Sequence, residues 1–206
     1  MSTTKVQGDM IDVDGATVAV VAAGDKFNFL DISDSLVKED TVQGILDLAG
    51  GGFTLDTEQA TTSGTSFTFN NGSIIPAGTT MIIIMFEGVS LTGTANMDVT
   101  IGDADGLETA SYINTSFSTE NVTHAMASST AEFNIDMKGA SDTMTGTMVL
   151  CLKDSTNFTW ISSHSIKNGT VSVATGAGQK SLSAELTQVA ISGGTFDAGS
   201  INVMFQ

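Results

Sequence analysis

Ser66-Phe67-Thr68-Phe69-Asn70-Asn71-Gly72 places two aromatic rings on one side of an extended backbone, hydroxyls on the other, and then a turn. Period-two alternation is what a half-buried strand requires, and Asn-Gly supplies the left-handed backbone of a tight hairpin turn. Working outward, apolar alternation returns at residues 81–86, 97–101, 132–137, 145–153, 158–162, 170–173, 181–186, 188–191 and 201–205. About ten short strands separated by Gly, Asn and Ser clusters predict an all-β fold, a β-sandwich of jelly-roll connectivity over residues 53–206. A single proline, 22 glycines and abundant Ser and Thr fit strands and turns better than long helices.

The first 49 residues read differently. A small-residue apolar run at 16–23, containing Val18, Val20 and Val21, predicts a strand buried on both faces or added to a neighbouring sheet. Over residues 33–50, Leu36, Val37, Ile45, Leu46 and Leu48 recur at helical spacing, Asp40 and Gln43 offer a capping pair, and Gly50 a stop, which predicts the one helix of the chain. Gly50-Gly51-Gly52 then marks a boundary, since three glycines carry high backbone freedom and nothing to pack. The expected organisation is an anchoring and oligomerisation segment at 1–49 and a displayed domain at 53–206.

Charge narrows the partners. The chain has 23 acidic residues against 7 lysines and no arginine, a formal net charge of −16. Nucleic acid and anionic membrane are excluded as expected partners, because phosphate recognition needs clustered cations and prefers guanidinium. No basic leader followed by an apolar core is visible, and no run approaches the roughly 20 apolar residues that cross a bilayer. One cysteine, Cys151, rules out an intrachain disulfide and a multi-thiolate zinc site. In residues 148–152 and 81–86 both alternating positions are apolar, which predicts strands covered on both sides, by a sister chain in a homo-oligomer or equally by a loop.

No nucleophile elbow, H-E-x-x-H, C-x-x-C or G-x-G-x-x-G is present, so an enzyme is not expected. Gly176-Ala177-Gly178-Gln179-Lys180-Ser181 lacks the glycine that a phosphate loop needs directly before lysine, and reads as a β-turn. Cys151 lies in an apolar strand, where cysteine behaves as a small hydrophobe. His124 and His164 sit among polar residues and read as loop histidines. Asp103 and Asp105, in Gly102-Asp103-Ala104-Asp105-Gly106, are a candidate Ca²⁺ pair on a turn, against the simpler reading of a solvated hairpin; no other cofactor is expected. Trp160, Tyr112 and Asn157 are candidates for binding a neutral glycan, the two rings as stacking platforms, against the simpler reading of Trp160 as a core side chain.

Both termini resemble structural proteins of tailed bacteriophages. Gly8-Asp9-Met10-Ile11 within residues 5–12 is similar to the start of virion-fibre proteins; residues 196–203, with Asn157-Phe158-Thr159-Trp160 before them, resemble the last strands of their C-terminal jelly-roll domains. The resemblance implies a homotrimer, assembled in the host cytoplasm and exposed on the particle surface, bound to other virion proteins of capsid or tail. With only about 50 residues before the sandwich there is no room for a shaft, which favours a short fibre, a head fibre or a capsid decoration. The function expected is non-enzymatic and structural, with the displayed module contacting the host surface; the alternative is a tail adhesin that binds a bacterial surface glycan.

Overall fold

The computed structural model describes residues 26–31, 36–42 and 52–206, the last without 71–74, 121, 138 and 141. By its internal contacts the chain divides into two compact units, Met1–Gly51 and Gly52–Gln206.

In the first unit, β1 (Lys26–Asp31) and β2 (Leu36–Thr41) form an antiparallel pair, with Lys26 opposite Thr41 and Asp31 opposite Leu36. This corrects the first half of the helix expected over 33–50. Within 36–41 only Leu36 and Val37 are apolar, so the helical spacing came from residues 45–48, and pairing with β1 decides the conformation upstream. Val42 is helical, and residues 43–50 lie outside the described residues. So do Val18, Val20 and Val21.

The second unit is nearly all β, and its described strands fall into two antiparallel sheets. The larger has nine strands. Its order begins β10 (Thr123–Ser129), β9 (Ile113–Glu120), β14 (Ser172–Ser181), β13 (Thr159–Asn168) and β12 (Met144–Asp154). It continues through β6 (Met81–Leu91) and β16 (Phe196–Phe205) to β3 (Thr54–Leu55), with β4 (Gln59–Ala60) also on β16. The smaller runs β11 (Phe133–Ile135), β7 (Met97–Asp103), β15 (Gln188–Ser192) and β5 (Ser66–Asn70), with β8 (Gly106–Leu107) paired to β7. Early and late strands pair in a nested order: β6 with β16, β7 with β15, β9 with β14. Successive nested pairs alternate between the sheets.

Both sheets contribute to one cluster of buried side chains. Ile82, Ile84 and Phe86 of β6, Met148 and Leu150 of β12, and Ile201 and Val203 of β16 join Phe69, Met97, Val99, Ile101, Val189 and Ile191 of the smaller sheet. Each such side chain removed from water contributes about 1.5–3 kcal/mol, which is what closes the unit. The alternation at 66–69 is realised as β5, with Phe69 fully buried and Phe67 packed against the core.

Three local expectations change. Residues 182–187 are not a strand, although 181–186 alternates. Gly176 to Ser181 is neither phosphate loop nor turn but the second half of β14. A Cβ on Gly176 would come within 2.4 Å of the His164 ring and 2.5 Å of the Thr115 carbonyl, so glycine is there for close approach inside a sheet. The third is the hairpin of β9 and β10, which the polar sequence 113–129 concealed.

Candidate functional site

Asp103 ends β7 at the hairpin into β8, and its carboxylate is 1% exposed. Oδ1 accepts from the Asp105 amide at 3.0 Å; Oδ2 accepts from the Ser183 hydroxyl at 2.5 Å and the Ala184 amide at 3.0 Å. The Ser183 hydrogen bond, aided by the backbone amides, holds the Asp103 carboxyl below the usual carboxylate range. Asp103 is therefore a clamp joining the 103–106 turn to the 182–187 segment. Asp105 is exposed beside it, and among the described residues no three His, Cys, Asp or Glu side chains gather where they could hold a metal ion. Of the two Ca²⁺ candidates, Asp103 has both carboxylate oxygens accepting protein donors, and Asp105 stays exposed.

The two aromatic candidates for a sugar platform are in the core. Trp160 and Tyr112 are each 1% exposed. The Tyr112 hydroxyl accepts from the Ile101 amide at 2.9 Å and donates to the Ile101 carbonyl at 3.1 Å, and its ring meets Phe133 edge-on at 4.9 Å. Burial pushes that hydroxyl's pKa far upward. Lys180, itself buried, lies 5.4 Å from the Tyr112 ring centre and pairs with Glu108 at 3.1 Å. Neither ring offers a face to a sugar, a correction that follows from alternation: Trp160 shares the inward row of β13 with Ser162, His164 and Ile166. Asn157 is exposed, but its amide donates to Asp154 at 2.8 Å within the turn that precedes β13.

That inward row contains a feature the sequence did not reveal. His164 Nε2 meets the Ser116 hydroxyl of β9 at 3.0 Å; Ser116 in turn accepts from the Asp136 amide at 3.1 Å, and the Ser118 hydroxyl donates to the Asp136 carboxylate. Asn168 donates to the Asp136 carbonyl at 3.2 Å. Burial lowers the His164 pKa to about 4, so the ring is neutral at pH 7. A serine beside a neutral imidazole is the contact used in acyl transfer. Here Ser116 is 0% and His164 4% exposed, and no substrate carbonyl can reach them. The contact serves the interior of the sheet. Both histidines lie in strands rather than loops. His124 is on β10, stacked on Phe117 at 5.6 Å, with Nδ1 3.1 Å from the Thr119 hydroxyl.

The opposite, outward face of the larger sheet is the most distinctive surface. Along β6 and β12, Met81, Ile83, Met85, Val149 and Cys151 alternate with the core residues and are only half-buried. Register sets Val149, Ile83, Met204 and Leu55 in one row across four strands, and Cys151 beside Met81 in the next. Outward positions of β9, β10, β13 and β14 carry Ile113, Phe117, Met126, Ile161 and Val173 among Ser, Thr and Ala, with His124, Lys167 and Gln179 and no carboxylate. In a chain of net charge −16 this is a partly apolar face of few charges, Lys167 of β13 and Glu87 of β6 among them. No family model, curated protein or solved structure matches the chain.

Proposed function

We propose that the chain is a non-enzymatic structural protein of a phage particle, a short fibre or decoration protein. Residues 1–49 fasten it to other virion proteins, and residues 53–206 are displayed on the particle surface as a β-sandwich of jelly-roll type. The observation that carries the reading is the outward face of the larger sheet: free of carboxylates across β9, β10, β13 and β14, and crossed by an apolar row of Val149, Ile83, Met204 and Leu55 on β12, β6, β16 and β3. Such a surface suits lateral packing in a homo-oligomer better than it suits binding a small substrate. Nested pairing of β6 with β16, β7 with β15 and β9 with β14 supports the jelly-roll assignment, since rolling one long hairpin produces that order. The alternative, a glycan-binding adhesin, has lost both aromatic platforms to the core.

Deleting residues 1–30 tests the division of labour. The truncated protein is expected to keep the far-UV dichroism and cooperative melting of a β domain while disappearing from purified particles. Incorporation of the truncated protein at the level of the full chain would refute the anchoring role.

A further inference from the structure

We propose that β10 is an assembly edge: it pairs antiparallel with β10 of a second copy about a two-fold axis at Met126, continuing the larger sheet through both chains. The inference stands whether or not the chain is carried on a particle. β10 is hydrogen-bonded to β9 on one side and has no strand on the other among the described residues. An edge of this kind presents alternate N–H and C=O groups that template a further strand.

Proteins guard such edges with charge, proline or a bulge. Thr123-His124-Ala125-Met126-Ala127-Ser128-Ser129 contains no proline and no Lys, Arg, Asp or Glu, and its register with β9 runs unbroken from Thr123 opposite Glu120 to Ser129 opposite Asn114. Electrostatics select where two copies meet. Each chain carries a net −16, so like molecules repel on average, and β10 with the outward faces of β9 and β14 carries no Lys, Arg, Asp or Glu to add to that repulsion.

The strand is also close to its own reverse. Setting Met126 opposite Met126 of the second copy brings Ala125 against Ala127, His124 against Ser128 and Thr123 against Ser129, pairs that are small or uncharged throughout. Met126, 73% exposed and opposite Phe117 on β9, then gains the Met126 of the second copy as an apolar neighbour. Seven residues of edge bury little area, so the expected dimer is weak and reversible, with Kd on the order of micromolar.

The test uses the full chain. Opposed Cα atoms of an antiparallel pair are about 4.5–5.5 Å apart, within disulfide reach. In a C151S background, M126C is expected to cross-link into a dimer under mild oxidation, while S163C, on the same face but three strands from the edge, stays monomeric. In the otherwise native chain, M126K sets two lysines opposite each other and is expected to weaken self-association in sedimentation velocity by about tenfold, with melting unchanged. The proposal is overturned by M126C that cross-links no faster than S163C, by a chain monomeric at about 100 µM, or by an oligomer indifferent to M126K. A monomer whose β10 amides resist hydrogen exchange overturns it too, assigning the edge to a segment of the same chain. A larger oligomer that cross-links through residue 126 supports the two-fold contact as the joint between its parts.

Discussion

Buried His164 and half-buried Asp98 are titratable side chains that act on stability with opposite sign. His164 is held neutral by burial among Ser116 of β9, Gly176 of β14 and Met148 of β12, and its pKa falls to about 4. The unfolded chain takes up that proton near pH 6.5, so stability is full above pH 6.5 and is lost as pH falls toward 4, by up to about 3 kcal/mol. Asp98 is raised to about 6, chiefly by burial, although Asn134 donates to it at 2.6 Å. Its charged form is disfavoured in the fold, so it costs stability above pH 6 and that cost vanishes as pH falls toward 4, about 1 kcal/mol once solvent screening is allowed for. Urea titrations between pH 7 and 4.5 separate the two. Relative to the native chain, H164Q is expected to gain stability on acidification, and D98N to lose it more steeply. Asp103 is a different case, a depressed carboxylate whose stabilisation is present above the ordinary carboxylate range and disappears as pH falls below it. D103A, which strands the Ser183 and Ala184 donors, is expected to cost about 1–3 kcal/mol in denaturant unfolding at pH 7. The Asp103 turn was legible as a turn, but its partners lie some 80 residues away, a distance that spacing alone cannot bridge.

At the level of elements, legibility followed the chemistry of the buried face. β5, β6, β7, β12 and β15 bury aliphatic or aromatic rows, so period two shows in the sequence. β9 buries Asn114, Ser116 and Ser118 and turns Ile113 and Phe117 outward, so its hydropathy pattern does not mark a strand with an apolar buried face. The Ser116–His164 contact was hidden for the same reason. β14 was half missed because Gly176 and Gly178 read as turn residues, when their role is to let the His164 and Phe133 rings lie against the backbone. G176A is accordingly expected to destabilise by about 1–3 kcal/mol, since the added methyl meets the Thr115 carbonyl as well as a movable ring; thermal melting beside a G93A control, where nothing lies within 4 Å and no left-handed backbone is required, checks the packing part of that loss. The N-terminal helix was read from residues 45–48 and extended too far upstream, into what pairs as β2.

On the scale of the whole molecule, the boundary at Gly50-Gly51-Gly52 and the all-β character beyond it could be read from composition. Strand order could not, because nested pairing joins residues far apart in the chain and leaves no local trace. Residues 52–206 form a compact unit with their own core, and expressed alone they are expected to unfold in one cooperative transition at the temperature seen for that unit in the full chain. The nested order also sets a timetable for synthesis. β6, the most aliphatic strand, leaves the ribosome about 105 residues before β16, the neighbour that completes its hydrogen bonding, and at 5–20 residues per second that is a wait of roughly 5–20 s. Through that interval Ile82, Ile83 and Ile84 stand on an unfinished edge, a species that nascent-chain chaperones capture and that crowded polysomes aggregate. Slowing translation between β6 and β16 with rare codons is therefore expected to lower the yield of soluble protein, measured as the soluble fraction beside the unaltered gene.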